Sequence, residues 1–264
     1  MSEQIFLIDN EFFNKGEKDE NTLYITLMLN RPQQIGLFEK IITFTDFLVC
    51  ADGGANRLYD LESIKDQYLP RAIVGDLDSI KPHVKKYYEE KGVEISQNNS
   101  LDDTDLEKSI NFLFAKKFFN ELLQKSNLRL LIIGAFGGRL DQTISNLSNL
   151  VKINKLFKEK NPFSQSIIQM MDQYSLATCL LPGEYYYKRA LKLEQTKGLG
   201  VLPLGNFNKG KIESKGLRWN LDGLEFEFGS FISTSNEFDE SYEGIPYFKT
   251  DSTIFIMTCI NENV

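Results

Sequence analysis

The feature that most restricts this chain is an alternation of short apolar runs and amphipathic helical stripes through its first half. Leu23 to Leu29 (LYITLML) is an apolar run closed by the turn signal Asn30-Arg31-Pro32. Ile35, Phe38 and Ile42 then recur at helical spacing, and Asp46 to Ala51 (DFLVCA) and Arg71 to Val74 (RAIV) read as further strands. Pro82 suits the first turn of a helix. Leu106, Ile110, Leu113 and Phe114 mark a helical stripe, Leu128 to Ile133 (LRLLII) a buried strand, and Leu140, Ile144, Leu147 and Val151 the helix after it. Strands separated by helices must return in the same direction, so the pattern predicts α/β layers around a mainly parallel sheet. Near Lys160-Asn161-Pro162 the alternation stops. Beyond it Leu224, Phe226 and Phe228 alternate with Glu225 and Glu227, Ile254 to Cys259 is an apolar strand, and Pro182-Gly183, Leu204-Gly205-Asn206 and Asp222-Gly223 mark turns. Short strands with frequent turns predict a β-sandwich or jelly-roll-like second domain. The expected division is 1–160 and 161–264, with the polar stretch 9–22 a loop or frayed end.

Composition excludes several classes of function. The chain of 264 residues is 42% hydrophobic and 25% charged, as for a globular protein, with a net charge of −7. That balance repels a nucleic-acid backbone but not a small cation. Cys50, Cys179 and Cys259 are far apart and form no CxxC pair, which argues against a disulfide framework or zinc site and for a reducing compartment. No apolar run approaches the roughly 20 residues of a membrane span. No basic segment precedes an apolar stretch at the N-terminus, so no signal peptide is expected and the cytoplasm is the default. The one histidine, His83, lies beside Lys85-Lys86 on an expected solvated helix face. Chemistry that needs a histidine nucleophile partner, base or zinc ligand is therefore disfavoured.

Acidic and glycine-rich clusters follow the predicted strands, where open α/β sheets bind ligands. The first is Ala51-Asp52-Gly53-Gly54-Ala55-Asn56, whose glycines suit either a tight turn or a backbone close to a ligand. The second is Gly75-Asp76-Leu77-Asp78-Ser79: two carboxylates that could share a hard cation, or a helix N-cap using Asp78 or Ser79. The third is Asp102-Asp103-Thr104-Asp105, one turn before Lys108; its acids could be helix-dipole partners or could join Asp76 and Asp78 at a metal. The fourth, Gly134 to Gln142 (GAFGGRLDQ), puts Arg139 among glycines before a helix, a plausible phosphate cradle that matches neither the dinucleotide fingerprint nor a Walker loop.

Taken in order, ADGGANRLYD, GDLDS, the D-x-T-D-x-x-K of Asp102 to Lys108 and GGRLDQ resemble the nucleotide and metal motifs of the thiamine pyrophosphokinase family. Gly216 to Leu221 (GLRWNL) and Ser233 to Asn236 (STSN) resemble its thiamine-site segments, most closely those of eukaryotic-type members. The resemblance spans roughly residues 23 to 260. It implies a Rossmann-like α/β domain followed by a β-sandwich, and a homodimer with active sites formed between subunits. It implies that the thiamine hydroxyl attacks the β-phosphorus of ATP in line, with AMP leaving. By the same resemblance Asp76, Asp78 and Asp102 hold Mg²⁺, with Asp105 the next candidate. Lys108 and Arg139 hold phosphate oxygens, and Gly53, Gly138 and Thr104 offer nearby donors. Asp52 or Asp141 orients or deprotonates the hydroxyl. Trp219 stacks on the aminopyrimidine, although a lone tryptophan in a β domain is by habit a core residue, and Ser233, Ser235 and Asn236 supply hydrogen bonds unless they form only a polar turn. Two alternatives are a D-x-D nucleotide-sugar glycosyltransferase and a non-catalytic nucleotide sensor of the same fold.

Overall fold

A computed structural model describes residues 5–11, 13, 18–32, 35–161, 165–190, 194–195, 197–204 and 210–260. Pro162 and the expected turn at Gly205-Asn206 lie outside the described residues, as does part of the 9–22 stretch. In chain order the strands are β1 (Ile5–Asp9), β2 (Thr22–Met28), β3 (Phe47–Ala51), β4 (Ala72–Gly75), β5 (Glu94–Gln97), β6 (Asn127–Ile133), β7 (Ser166–Met171), β8 (Ser175–Leu180), β9 (Gly183–Lys188), β10 (Lys197–Leu202), β11 (Gly210–Lys215), β12 (Asp222–Phe226), β13 (Ser233–Glu237), β14 (Tyr247–Thr250) and β15 (Ile254–Cys259). The helices are α1 (Ile35–Phe44), α2 (Gly54–Tyr59), α3 (Pro82–Glu90), α4 (Asp105–Ala115), α5 (Lys117–Leu123) and α6 (Leu140–Lys160).

The strands form two mixed sheets. The larger has ten strands in the order β13-β10-β15-β8-β7-β6-β2-β3-β4-β5. From β7 to β5 every pairing is parallel, and from β7 to β13 every pairing is antiparallel. The parallel arm is the one the alternation predicts. Leu27 and Met28 of β2 are fully buried, because helices cover both faces. Leu106, Ile110 and Leu113 of α4 pack on one face with Leu150, Ile153 and Phe157 of α6. Phe38, Ile41 and Ile42 of α1 pack on the other with Val84 and Tyr88 of α3. Chain order runs outward from β2 through β3, β4 and β5, then returns to β6 on the other side of β2. That reversal opens a crevice at the carboxyl ends of the strands.

The smaller sheet has the order β1-β9-β14-β11-β12 and packs against the antiparallel arm around Ile8, Leu180, Tyr187, Ile212, Phe226, Phe248 and Ile256. The two halves are stitched together by hydrogen bonds. β7 lies beyond residue 160 yet pairs in parallel with β6, and β1, at the start of the chain, pairs in parallel with β9.

Two periodic patterns overstate burial. Leu140 and Ile144 open the expected apolar stripe of α6 but are 71% and 58% exposed, so only the later part of that stripe faces the core. In the predicted Leu224-Phe226-Phe228 strand only Phe226 is buried. β12 is an edge strand that ends at Phe226, and its pairing with β11 shifts register at Ile212/Glu213.

Candidate active site

The carboxyl ends of β2, β3, β4 and β6 and the start of α4 surround a cleft of about 510 Å³ lined by Asn30, Arg31, Asp52, Gly53, Arg57, Asp76, Asp103, Thr104, Asp105, Lys108, Arg139 and Gln142, among others. Carboxylate oxygens of Asp52, Asp76 and Asp105 come within 4.8 Å of one another. Gly75 makes this approach possible: a side-chain carbon there would stand 2.7 Å from the Asp52 Cβ and 3.1 Å from Asp105 Oδ1. Gly54 is equally constrained, since a Cβ would lie 2.1 Å from the Met28 carbonyl oxygen.

Lys108 supplies the countercharge. Its side chain is only 3% exposed, and Nζ donates to Asp76 Oδ2 at 3.0 Å and Asp105 Oδ1 at 3.1 Å. The hydrogen bond from Lys108 holds the Asp76 carboxyl below the usual aspartate range despite some desolvation. Burial pulls the Lys108 ammonium down, but its bonds to the two aspartates more than reverse this and leave it above its ordinary value. Asp52 is different. Burial pushes its carboxyl up, hydrogen bonds from the Ser79 and Ile80 backbone N–H groups (3.0 and 3.1 Å) partly offset that, and Asp105 pushes it up further. Asn56 fixes the same loop, donating to the Ser79 carbonyl and accepting from Lys81 N–H, both at 2.9 Å. Asp52 itself has φ 41, a left-handed backbone that aims its carboxylate across the turn.

The cluster differs from the carboxylate set expected at the metal. Asp76 groups with Asp52 and Asp105, while Asp78 and Asp102 lie outside that group. Leu77 has φ 67, and this turn leaves Asp78 exposed, where it accepts from Ser79 Oγ at 2.8 Å. Asp102 is exposed in the loop ahead of α4, whereas Asp105 stands in that helix's first turn beside Lys108. Thr104 is the N-cap of α4: its Oγ accepts from Glu107 N–H and donates to the Glu107 carboxylate, so the hydroxyl serves a capping box. Arg139 reaches the cleft but grips Asp141 through Nε (3.1 Å) and Nη2 (2.5 Å), with both side chains well exposed. The guanidinium keeps Asp141 below the usual carboxylate range. Gly138 has φ 67 and lies against the Arg31 guanidinium. Arg31 and Arg57 are cleft cations that the sequence reading passed over; Arg57 donates to Asn30 Oδ1 at 3.0 Å and Arg31 to Gln142 Oε1 at 3.1 Å. Their signal was position, directly after β2 and inside α2, rather than any motif.

The thiamine-site candidates gather elsewhere. Trp219 is 51% exposed, so it is not a core residue, and it does not line the carboxylate cleft. Asn236 is 2% exposed and clamps the tryptophan's backbone: Nδ2 donates to the Trp219 carbonyl (2.9 Å) and Ser233 Oγ (3.2 Å), while Oδ1 accepts from Glu237 N–H (2.8 Å) and, at 3.4 Å, from Trp219 N–H. Asn236 and the buried Ser233 therefore support the Trp219 loop from beneath. Ser235 is exposed beside them, with φ 63.

The model of the thiamin pyrophosphokinase catalytic domain matches residues 38–161, and that of the vitamin B1 binding domain matches residues 189–255. Thiamine pyrophosphokinase 1 of Oryza sativa subsp. japonica is 32% identical over 84% of this chain and 83% of its own length. The chain belongs to the thiamine pyrophosphokinase family. Thiamine pyrophosphokinase of Saccharomyces cerevisiae is 29% identical over 86% of this chain and 82% of its own. A solved thiamin pyrophosphokinase from Candida albicans superposes with a TM-score of 0.81 at 24% identity, over 97% of this chain and 93% of that one, so the thiamine pyrophosphokinase fold extends through both sheets. These matches give no support to a glycosyltransferase or a non-catalytic sensor.

Proposed function

We propose that this thiamine pyrophosphokinase transfers the pyrophosphoryl group of ATP to the thiamine hydroxyl, giving thiamine diphosphate and AMP, with its carboxylate cleft as the phosphate and metal site. The observation that carries the assignment is the convergence of Asp52, Asp76 and Asp105, the last two bridged by the buried Lys108, at the sheet's topological switch point. Three hard oxygen donors without nitrogen or sulfur suit Mg²⁺. Asp76 and Asp105 would hold it, with Asp52 alongside, and when bound it neutralises charge on the phosphates. The chain's own residues do the rest. Lys108 fixes the spacing of Asp76 and Asp105, Arg31, Arg57 and Arg139 offer charge to phosphate oxygens across the cleft, and Gly53 lets the backbone approach them. Pyrophosphoryl transfer depends on alignment and charge stabilisation, so the chemistry asks for no histidine base.

The division of labour we propose is that residues 1–160 carry nucleotide and metal while residues 161–264 carry thiamine, stacked on Trp219. Because Trp219 is absent from the cleft lining, the reading also assigns a homodimer in which one subunit presents it to the other's cleft. Leu101, Leu140 and Ile144, exposed near that cleft, offer apolar surface for the contact. A cytoplasmic location fits the unpaired cysteines, and among the described residues no helix is long and apolar enough to cross a membrane. The test is incubation with ATP, Mg²⁺ and thiamine followed by product identification. AMP with thiamine diphosphate is expected; ADP with thiamine monophosphate would refute the reaction.

A further inference from the structure

Behind the exposed indole of Trp219 stands a cation that no step above uses. The Arg218 guanidinium carbon lies 4.8 Å from the ring centroid. A guanidinium donates hydrogen bonds in its own plane and stacks through its face, so it can be gripped at its edge while lying on an aromatic ring. Arg218 has such a grip: Nη1 donates to Glu237 Oε2 at 2.9 Å, and its backbone N–H donates to the Glu237 carbonyl, also at 2.9 Å. The neighbouring Leu217–Phe238 bridge, with both side chains buried, fixes that backbone to the core. Glu237 directly follows Asn236, the clamp on the Trp219 backbone. One short segment thus holds the tryptophan twice, at the backbone through Asn236 and at the ring through Arg218.

We propose that Arg218 is a positioning residue for thiamine: anchored by Glu237, it backs one face of the Trp219 indole and presents the other to the substrate. The inference rests on the reading that thiamine stacks on Trp219. It supplies a physical reason for the ring that the resemblance already implies, the aminopyrimidine, to be the one that stacks. A cation already bound to one face opposes a second cation on the opposite face, so the neutral aminopyrimidine is favoured over the positively charged thiazolium.

Trp219 is the only tryptophan, so fluorescence excited at the red edge, beyond the absorption of the 11 tyrosines, reports this ring alone. Arg218→Ala should raise acrylamide quenching of the ligand-free protein and raise KM for thiamine roughly twofold to fivefold, the effect of a cation–π contact at an exposed ring, with KM for ATP unchanged. Arg218→Lys, which keeps the charge but loses the fork, should fall between. Glu237→Gln keeps size and fold and should loosen the ring in the same direction. Unchanged quenching in Arg218→Ala and Glu237→Gln would overturn the proposal. So would a looser ring with unchanged KM for thiamine, or equal rises in KM for both substrates. Failure of the underlying reading looks different: Trp219→Ala would then leave KM for thiamine untouched, even if Arg218→Ala still altered quenching.

Discussion

The carboxylate cleft and the Trp219 loop solve opposite problems. The cleft gathers like charges that would repel one another, and it stabilises them with one buried lysine and backbone N–H groups. The Trp219 loop exposes a large apolar ring to water and holds it with buried neutral groups, Asn236 and Ser233, beneath the backbone. The first is poised for ions, and its integrity depends on pH and on cations. The second is poised for a flat organic ring, its backbone held by neutral groups and its ring backed by the Arg218–Glu237 pair. Substitutions in the two regions should therefore separate cleanly.

The largest effect is expected in the cleft. Asp76→Asn should lower turnover at least about 100-fold while leaving the protein folded, as judged by kcat and by circular dichroism. Near-normal turnover would remove Asp76 from the metal site. Next in size, Lys108→Met leaves Asp76 and Asp105 facing each other without a countercharge. Because both are about a third exposed, water softens the penalty, and the loss should be about 1–3 kcal/mol in urea unfolding. Added Mg²⁺ should return part of it; no recovery would argue against a shared ion.

Trp219→Ala should sharpen the contrast. Removing a stacking platform should weaken thiamine binding by about 1–3 kcal/mol, leave ATP binding alone and change stability by less than about 0.5 kcal/mol, since the ring is exposed. Equal losses for both ligands would contradict the division of labour.

The smallest effect is a pH dependence. Asp76 has a depressed pKa in the folded state, so its contribution is complete above the ordinary aspartate value of 3.8 and is lost as pH falls through the lower folded value. Lys108 is raised, so its contribution is complete below 10.5 and lost as pH rises through the higher folded value. Asp52 runs the other way from Asp76: its raised carboxyl costs stability as pH rises past 3.8. Asp76→Asn should therefore flatten the acid limb of the stability curve by less than about 1 kcal/mol. An unaltered limb would mean the Lys108 contact has no net effect on folding.

The sequence made the parallel arm legible because each strand buried on both faces is a continuous apolar run, and because the ligand groups follow those runs directly. It did not show which acids meet in the cleft. Spacing alone cannot show that Leu77 adopts a left-handed backbone and turns Asp78 outward, or that Asp52, in what reads as a glycine turn, folds back onto Ser79. Arg31 and Arg57 were missed because each belongs to a turn or helix that explains it without a ligand. In the second half the alternating pattern misled, since the edge strand β12 leaves Leu224 in water and ends before Phe228, which is exposed too. Nor could short-range patterns reveal that β1 crosses to β9. For Trp219 burial habit pointed to the core, and only the family resemblance pointed to the surface where the ring lies.

The central claim is that Asp52, Asp76 and Asp105 share one divalent ion beside the nucleotide. It is tested most directly by Mn²⁺ titration in the presence of ATP, followed by electron paramagnetic resonance, across single Asp→Asn variants. Loss of the protein-bound signal in Asp76→Asn and Asp105→Asn, a weakened signal in Asp52→Asn, and an intact one in Asp78→Asn and Asp102→Asn is predicted. Loss confined to Asp78→Asn and Asp102→Asn would contradict it.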